Sequence, residues 1–215
     1  ESRHVSQMQF GLTERHRKFK YIVGEAWNGL AVALYPGSAN MEGDAVVIET
    51  ALTPSGRGRT ADFLNYYWVA FEHGDFRKWF QWRFVSQLRY SPTYYALGYM
   101  TIGGFRYLYD YPNFVSEALH NTARHPGKLG CLFDVSKKVT GKKWDGMWKE
   151  VCDTMYAKWK ADADNRAPYI PSERVLPESK RYTDYTDIFV CGHDLFAVKK
   201  GHVDTPSLVK IDNAG

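Results

Sequence analysis

Trp144, Met147, Trp148, Val151, Met155 and Trp159 recur at steps of three and four. That spacing places all six on one face of an α-helix, which must be buried against other elements. The chain before it carries further helix signals. Glu1 to Phe10 is helix-compatible, and Trp27 to Leu34 is a short apolar segment stopped by Pro36-Gly37. Met41 to Leu52 reads as a helix ended by Thr53-Pro54-Ser55-Gly56. Thr60 is an N-cap candidate for a helix through Phe63, Leu64, Tyr67 and Ala70. A Trp- and Phe-rich stretch follows from Phe76 to Leu88, and Ser91-Pro92 opens a helix running to about Tyr109.

After Asp162 the grammar changes. Pro168, Pro171 and Pro177 lie among charged residues, as in a linker. Ile188-Phe189-Val190, Leu195 to Val198 and Ser207 to Ile211 are short β-type runs separated by turn residues. Three strands of this size cannot bury a core of their own. They are expected to pair with something outside this chain or to pack on the helical part. The expected architecture is therefore mainly α, with a helical domain over residues 1–162, a linker over 163–186 and a β-rich segment over 187–215.

Composition excludes several classes. Hydrophobic residues are 44% of 215 and aromatics 16%, enough for a dense core and too many for a disordered chain. The 28 basic and 24 acidic residues are interspersed, so Arg15 to Lys18 and Lys137 to Lys143 read as solvated helix faces, and no nucleic-acid partner is expected. No apolar run is long enough to span a membrane. Cys131, Cys152 and Cys191 form no CxxC pair, which argues against a cysteine-ligated metal and leaves room for one disulfide.

The chemistry is concentrated near the start. In an HExxH helix, two histidines at i and i+4 share a face and bind zinc, and the intervening Glu serves as base. Glu1-Ser2-Arg3-His4 matches the second to fifth positions of that motif, and the first position falls before Glu1. The chain opens in mid-helix grammar and stops at the turn signal Asp212 to Gly215, so both ends read as cut. Downstream, Glu42-Gly43-Asp44-Ala45 opens a helix with the local pattern Glu-Gly-x-Ala. Gly43 is expected to allow close approach to the first helix, and a Glu there completes a two-His, one-Glu ligand set.

These residues resemble the peptidase MA-like gluzincins, found in large bacterial exported proteins that carry a WD40-like, TolB-type β-propeller after the peptidase domain. The resemblance is carried by Glu1-x-x-His4, by Glu42 to Thr50, by Pro54 to Arg59 and by Tyr94-Tyr95-Ala96-Leu97-Gly98-Tyr99. It implies a gluzincin C-terminal helical subdomain, with 187–215 as the first strands of the propeller. The insert Trp27 to Asn40 makes the His4–Glu42 spacing longer than in aminopeptidase members, which bears on substrate range.

What the resemblance implies can be stated residue by residue. His4 and Glu42 are metal ligands for Zn2+, and Glu1 is the general base for a zinc-activated water that hydrolyses a peptide bond. Tyr95 and Tyr99 are oxyanion donors, each with the alternative of a packing tyrosine. Glu49 either supports a ligand or pairs with Arg57 or Arg59. Asp44 faces elsewhere on its helix and could as easily cap it. The Gly56-Arg57-Gly58-Arg59 loop is flexible and basic, either a solvated turn or a site for a peptide carboxylate. The expected partners are a peptide or protein substrate and a protein bound through the propeller, and the expected location is periplasmic or outer-membrane-associated. Two rivals stand beside this reading: a catalytically inactive peptidase-like scaffold, and an aromatic-rich carbohydrate- or nucleic-acid-binding surface. A His ahead of Glu1 favours the enzyme, and any other residue favours the scaffold.

Overall fold

The computed structural model describes residues 2–9, 14–32, 37–84, 89–125, 128, 130–173, 175, 176, 179, 181–202 and 204–211. Ten α-helices are described: α1 Ser2–Met8, α2 Glu14–Val23, α3 Ala26–Val32, α4 Ser38–Leu52, α5 Ala61–Glu72, α6 Trp79–Arg83, α7 Tyr94–Tyr109, α8 Phe114–Arg124, α9 Cys131–Thr140 and α10 Trp144–Arg166. Three strands follow: β1 Thr183–Cys191, β2 Asp194–Gly201 and β3 Ser207–Ile211. The chain divides into two compact units, Glu1–Arg83 with Pro92–Ala163, and Phe84–Ser91 with Asp164–Gly215.

The first unit is built on the helical periodicities. On α10, Trp144, Met147, Trp148, Val151 and Cys152 are buried. Each fully buried apolar side chain of this kind contributes about 1.5–3 kcal/mol. Two of the buried indole N–H groups find acceptors: Trp148 Nε1 donates to Arg77 O at 3.0 Å, and Trp79 Nε1 to Thr101 Oγ1 at 2.9 Å, whereas Trp144 Nε1 and Trp82 Nε1 are buried without a hydrogen-bond partner among the described residues. α4 and α7 lie at the centre of this unit. Both contribute buried residues along their length, among them Met41 and Val46 on α4 and Leu97, Ile102 and Phe105 on α7.

Several elements differ from the sequence expectations. Of the Phe76 to Leu88 stretch, residues 76–84 are described; they hold the five-residue α6, and in the loop before it Arg77 pairs with Asp75. Thr60 stands at the N-cap position of α5 but does not cap it: its hydroxyl donates to Arg57 O at 2.7 Å. The preceding turn, Arg57–Arg59, competes successfully for that side chain.

In the second unit, β1, β2 and β3 pair with one another as an antiparallel sheet in that order. β1 begins at Thr183, inside the stretch expected to be a linker, because Thr183 to Thr186 pair with Val198 to Gly201. Among the described residues no propeller is shown. Ala197 is the buried apolar residue of these strands, while Ile188, Val190 and Leu208 remain exposed. In the same unit, Tyr90 stacks on Tyr182 with ring centroids 4.2 Å apart, and His202 meets both rings edge-on. Among the described residues, no helix is long and apolar enough to cross a membrane.

Candidate metal and peptidase site

α1 and α4 bring His4 and Glu42 together. His4 Nε2 lies 3.0 Å from Glu42 Oε2, with both side chains about three-quarters buried. The other ring nitrogen, Nδ1, lies 2.7 Å from Gln7 Oε1, one turn further along α1. Gln7 is itself buried, and its amide nitrogen donates to Met41 O at 3.1 Å and to Asp44 Oδ2 at 2.8 Å. Both of those partners are acceptors only, so the amide orientation follows from the network: Nε2 faces α4 and Oε1 faces the imidazole.

This has a consequence for the ring. Both nitrogens of His4 face oxygen acceptors, whereas a neutral imidazole carries one proton. With that proton on Nδ1 towards Gln7, the Nε2 lone pair points at a carboxylate. The arrangement is complete when a cation sits at Nε2, either a proton or a metal ion. Two ligands with bonds of about 2.0–2.1 Å to a tetrahedral metal sit roughly 3.3 Å apart, close to the observed separation. A His nitrogen and a Glu oxygen are also donors that zinc accepts. The pair therefore fits a zinc ion as two of its ligands. Among the described residues no group of three or more His, Cys, Asp or Glu side chains is placed to hold a metal.

The pair opens on a cavity of about 500 Å³, a size typical of ligand sites. Its floor is one face of α4, with Ala45, Ile48, Glu49 and Leu52. Tyr95, from the first turn of α7, closes one side. A hydrogen bond to Tyr94, burial and the negative charge of Glu42 push the Tyr95 hydroxyl up to about 12, so it remains an O–H donor across the physiological range. Arg57 reaches over the Tyr95 ring at 5.2 Å.

Glu49 pairs with Arg57. Its carboxylate receives Arg57 Nε at 3.0 Å and Nη2 at 2.8 Å, and also the Arg57 backbone N–H at 3.0 Å. These hydrogen bonds hold the Glu49 carboxyl below the usual carboxylate range. Tyr99 is placed elsewhere, one turn along α7: its ring meets Phe63 edge-on, and it packs against Gly58. Glu1 lies outside the described residues.

Two expectations are corrected here. Asp44 does not cap α4: it is fully buried, receiving Arg3 Nε at 2.6 Å, Arg106 Nη2 at 2.6 Å and Gln7. Gly43 approaches α7, not α1: a Cβ built on it would fall 2.0 Å from the carbonyl carbon of Gly98. The Gly56 to Arg59 loop is folded back on the end of α4. Gly58 N donates to Thr50 Oγ1 at 3.1 Å, and Arg59 Nη2 donates to Thr50 O at 2.7 Å, satisfying a carbonyl of the last turn. The loop glycines serve close packing, since a Cβ on Gly56 would lie 2.4 Å from Thr50 Cα.

Gln7, Arg3 and Arg106 were not singled out by sequence reasoning. Gln7 follows His4 by one turn, which places it beside the ring on any helix, and that spacing was the available signal. Arg106 carried none, since its partner lies 62 residues away. The remaining described histidines do not join the site: His73, His120, His125 and His193 are exposed, His16 is buried against Trp27 and Thr122 O, and His202 lies against Tyr90 and Tyr182. The cysteines Cys131, Cys152 and Cys191 are free thiols.

No family model matches the chain, and no curated protein or solved structure matches it either.

Proposed function

We propose that this chain supplies part of the active site of a zinc-dependent peptidase of the HExxH type, akin to the peptidase MA-like gluzincins. The observation that carries the reading is the meeting of His4 Nε2 and the Glu42 carboxylate at 3.0 Å on the wall of an open cavity. In this reading His4 and Glu42 hold the metal, together with a histidine expected ahead of Glu1. Zinc, when bound, supplies Lewis acidity towards a carbonyl and towards water. Glu1 takes the proton from the attacking water and passes it to the leaving amine. Tyr95 donates a hydrogen bond from its hydroxyl to the oxygen that gains negative charge. Ala45, Ile48 and Leu52 offer an apolar wall for a substrate side chain. The same reading takes the three strands as the opening of a β-propeller and the protein as exported.

The test is metal binding by the chain with a His supplied ahead of Glu1. Tight zinc binding that is lost in His4→Asn and in Glu42→Gln, with peptide hydrolysis lost in Glu1→Gln at unchanged metal content, is the expected result. Tyr95→Phe is expected to lower kcat by about a hundredfold with little change in KM. Equal zinc content with and without Glu42 would sink the ligand assignment.

The 3.0 Å contact also favours a second reading. A protonated His4 paired directly with Glu42 is a complete link between α1 and α4, sufficient for a non-catalytic scaffold. In that case His4→Asn lowers stability and no metal is retained.

A further inference from the structure

We propose that Gln7 is a positioning residue for His4: it keeps a proton on Nδ1, aims Nε2 at Glu42, and couples the ring to α4 through Asp44. The purpose rests on the reading of His4 and Glu42 as metal ligands, whereas the hydrogen bonding does not.

Gln7 is only 1% exposed, so its polar atoms have no recourse to water. The amide oxygen lies 2.7 Å from His4 Nδ1, and the amide nitrogen reaches Met41 O and Asp44 Oδ2, which flank Glu42 in the chain. Reversing the amide would set its oxygen against two acceptors in a buried place, a costly arrangement. Asp44 cannot yield, because Arg3 and Arg106 hold its two oxygens. A chain of bonds thus runs from α7 through Asp44 and Gln7 to the imidazole. It fixes the ring against the helix that presents Glu42. Metal-binding histidines depend on such a partner at the second nitrogen for orientation and basicity, and its loss lowers metal affinity about 10- to 100-fold.

The experiment combines two readouts on the full chain. Two-bond proton–nitrogen correlation spectra of the metal-free, isotope-labelled protein locate the ring protons of His4, assigned by their loss in His4→Gln. The unsubstituted chain is expected to carry a proton on Nδ1. In Gln7→Leu, Nδ1 loses its acceptor, and the ring proton is expected on Nε2, towards Glu42. In Gln7→Glu an acceptor faces Nδ1 again, so the Nδ1 proton returns, although the new carboxylate opposes Asp44 and lowers stability. That opposition between ring state and stability separates positioning from simple support. A bare Nδ1 in the unsubstituted chain, or an unchanged ring in Gln7→Leu, would overturn the proposal. The second readout is cobalt affinity with a His supplied ahead of Glu1, expected to fall about 10- to 100-fold in Gln7→Leu. Equal affinity overturns the positioning role. Absence of cobalt binding in the parent sinks the peptidase reading and leaves the ring proton to decide on Gln7.

Discussion

Gly43 and Gly98 face each other where α4 crosses α7, and neither has room for a side chain. A Cβ on Gly98 would fall 1.7 Å from Ala39 O and 2.9 Å from Gly43 Cα. Because the obstacles are backbone atoms, no rotamer relieves them. Gly98→Ala is expected to cost about 3 kcal/mol or more, through forced separation of the helices. Gly103→Ala is the control on the same helix: its Cβ would meet Val47 at 3.5 Å, an ordinary distance. It is expected to be neutral, or to stabilise by up to about 1 kcal/mol. Urea denaturation of the two variants checks the contrast.

Asp44 concentrates a buried charge network. Removing its carboxylate leaves Arg3, from α1, and Arg106, from α7, facing each other without the anion between them. Asp44→Ala is expected to lose about 3–5 kcal/mol, as when one partner of a buried pair is removed. A loss below about 1 kcal/mol, measured by chemical denaturation, would contradict the burial of this group.

Glu49 links stability to pH in a defined direction. Its folded value is depressed below the ordinary 4.5, chiefly by the side-chain and backbone hydrogen bonds from Arg57. The stabilisation is therefore present above the unfolded value and is lost as pH falls through the depressed folded value. Glu49 is one-third exposed and Arg57 about half, so solvent screening limits the effect to about 0.5 kcal/mol. The stability gap between the unsubstituted chain and Glu49→Gln is expected to close from about pH 5 towards pH 3, and in high salt at neutral pH. Thermal melts across that range measure it.

The three cysteines differ in access. Cys191 is exposed, whereas Cys131 and Cys152 are buried, and burial pushes the Cys152 thiol up. A thiol reagent at pH 8 is expected to label one cysteine in the native protein and three in denaturant. Labelling mapped by mass spectrometry to Cys131 or Cys152 under native conditions would contradict their burial.

Much of the architecture was legible in local spacing. The apolar repeat from Trp144 placed α10, and the residues of that repeat are the ones the core takes in. Pro and Gly marked the end of α4 at Thr53. Boundaries set by competition between side chains were not legible. Thr60 has the chemistry of a cap, but its hydroxyl turns to Arg57 O. β1 extends further back than its apolar residues, because pairing with β2 also recruits polar ones.

The sequence by itself determined the candidates: a His and a Glu on separate helices, a Gly beside that Glu, and tyrosines opening a third helix. Those follow from residue type and helical period, which are local. Tertiary structure alone decided the rest. It set the 3.0 Å distance between His4 and Glu42, divided Tyr95 from Tyr99, and turned Asp44 inward to two arginines. The physical reason is that a buried charge or a backbone-to-backbone crossing depends on partners distant in the chain. Asp44 and Arg106 are 62 residues apart, and nothing in the neighbourhood of either encodes the other.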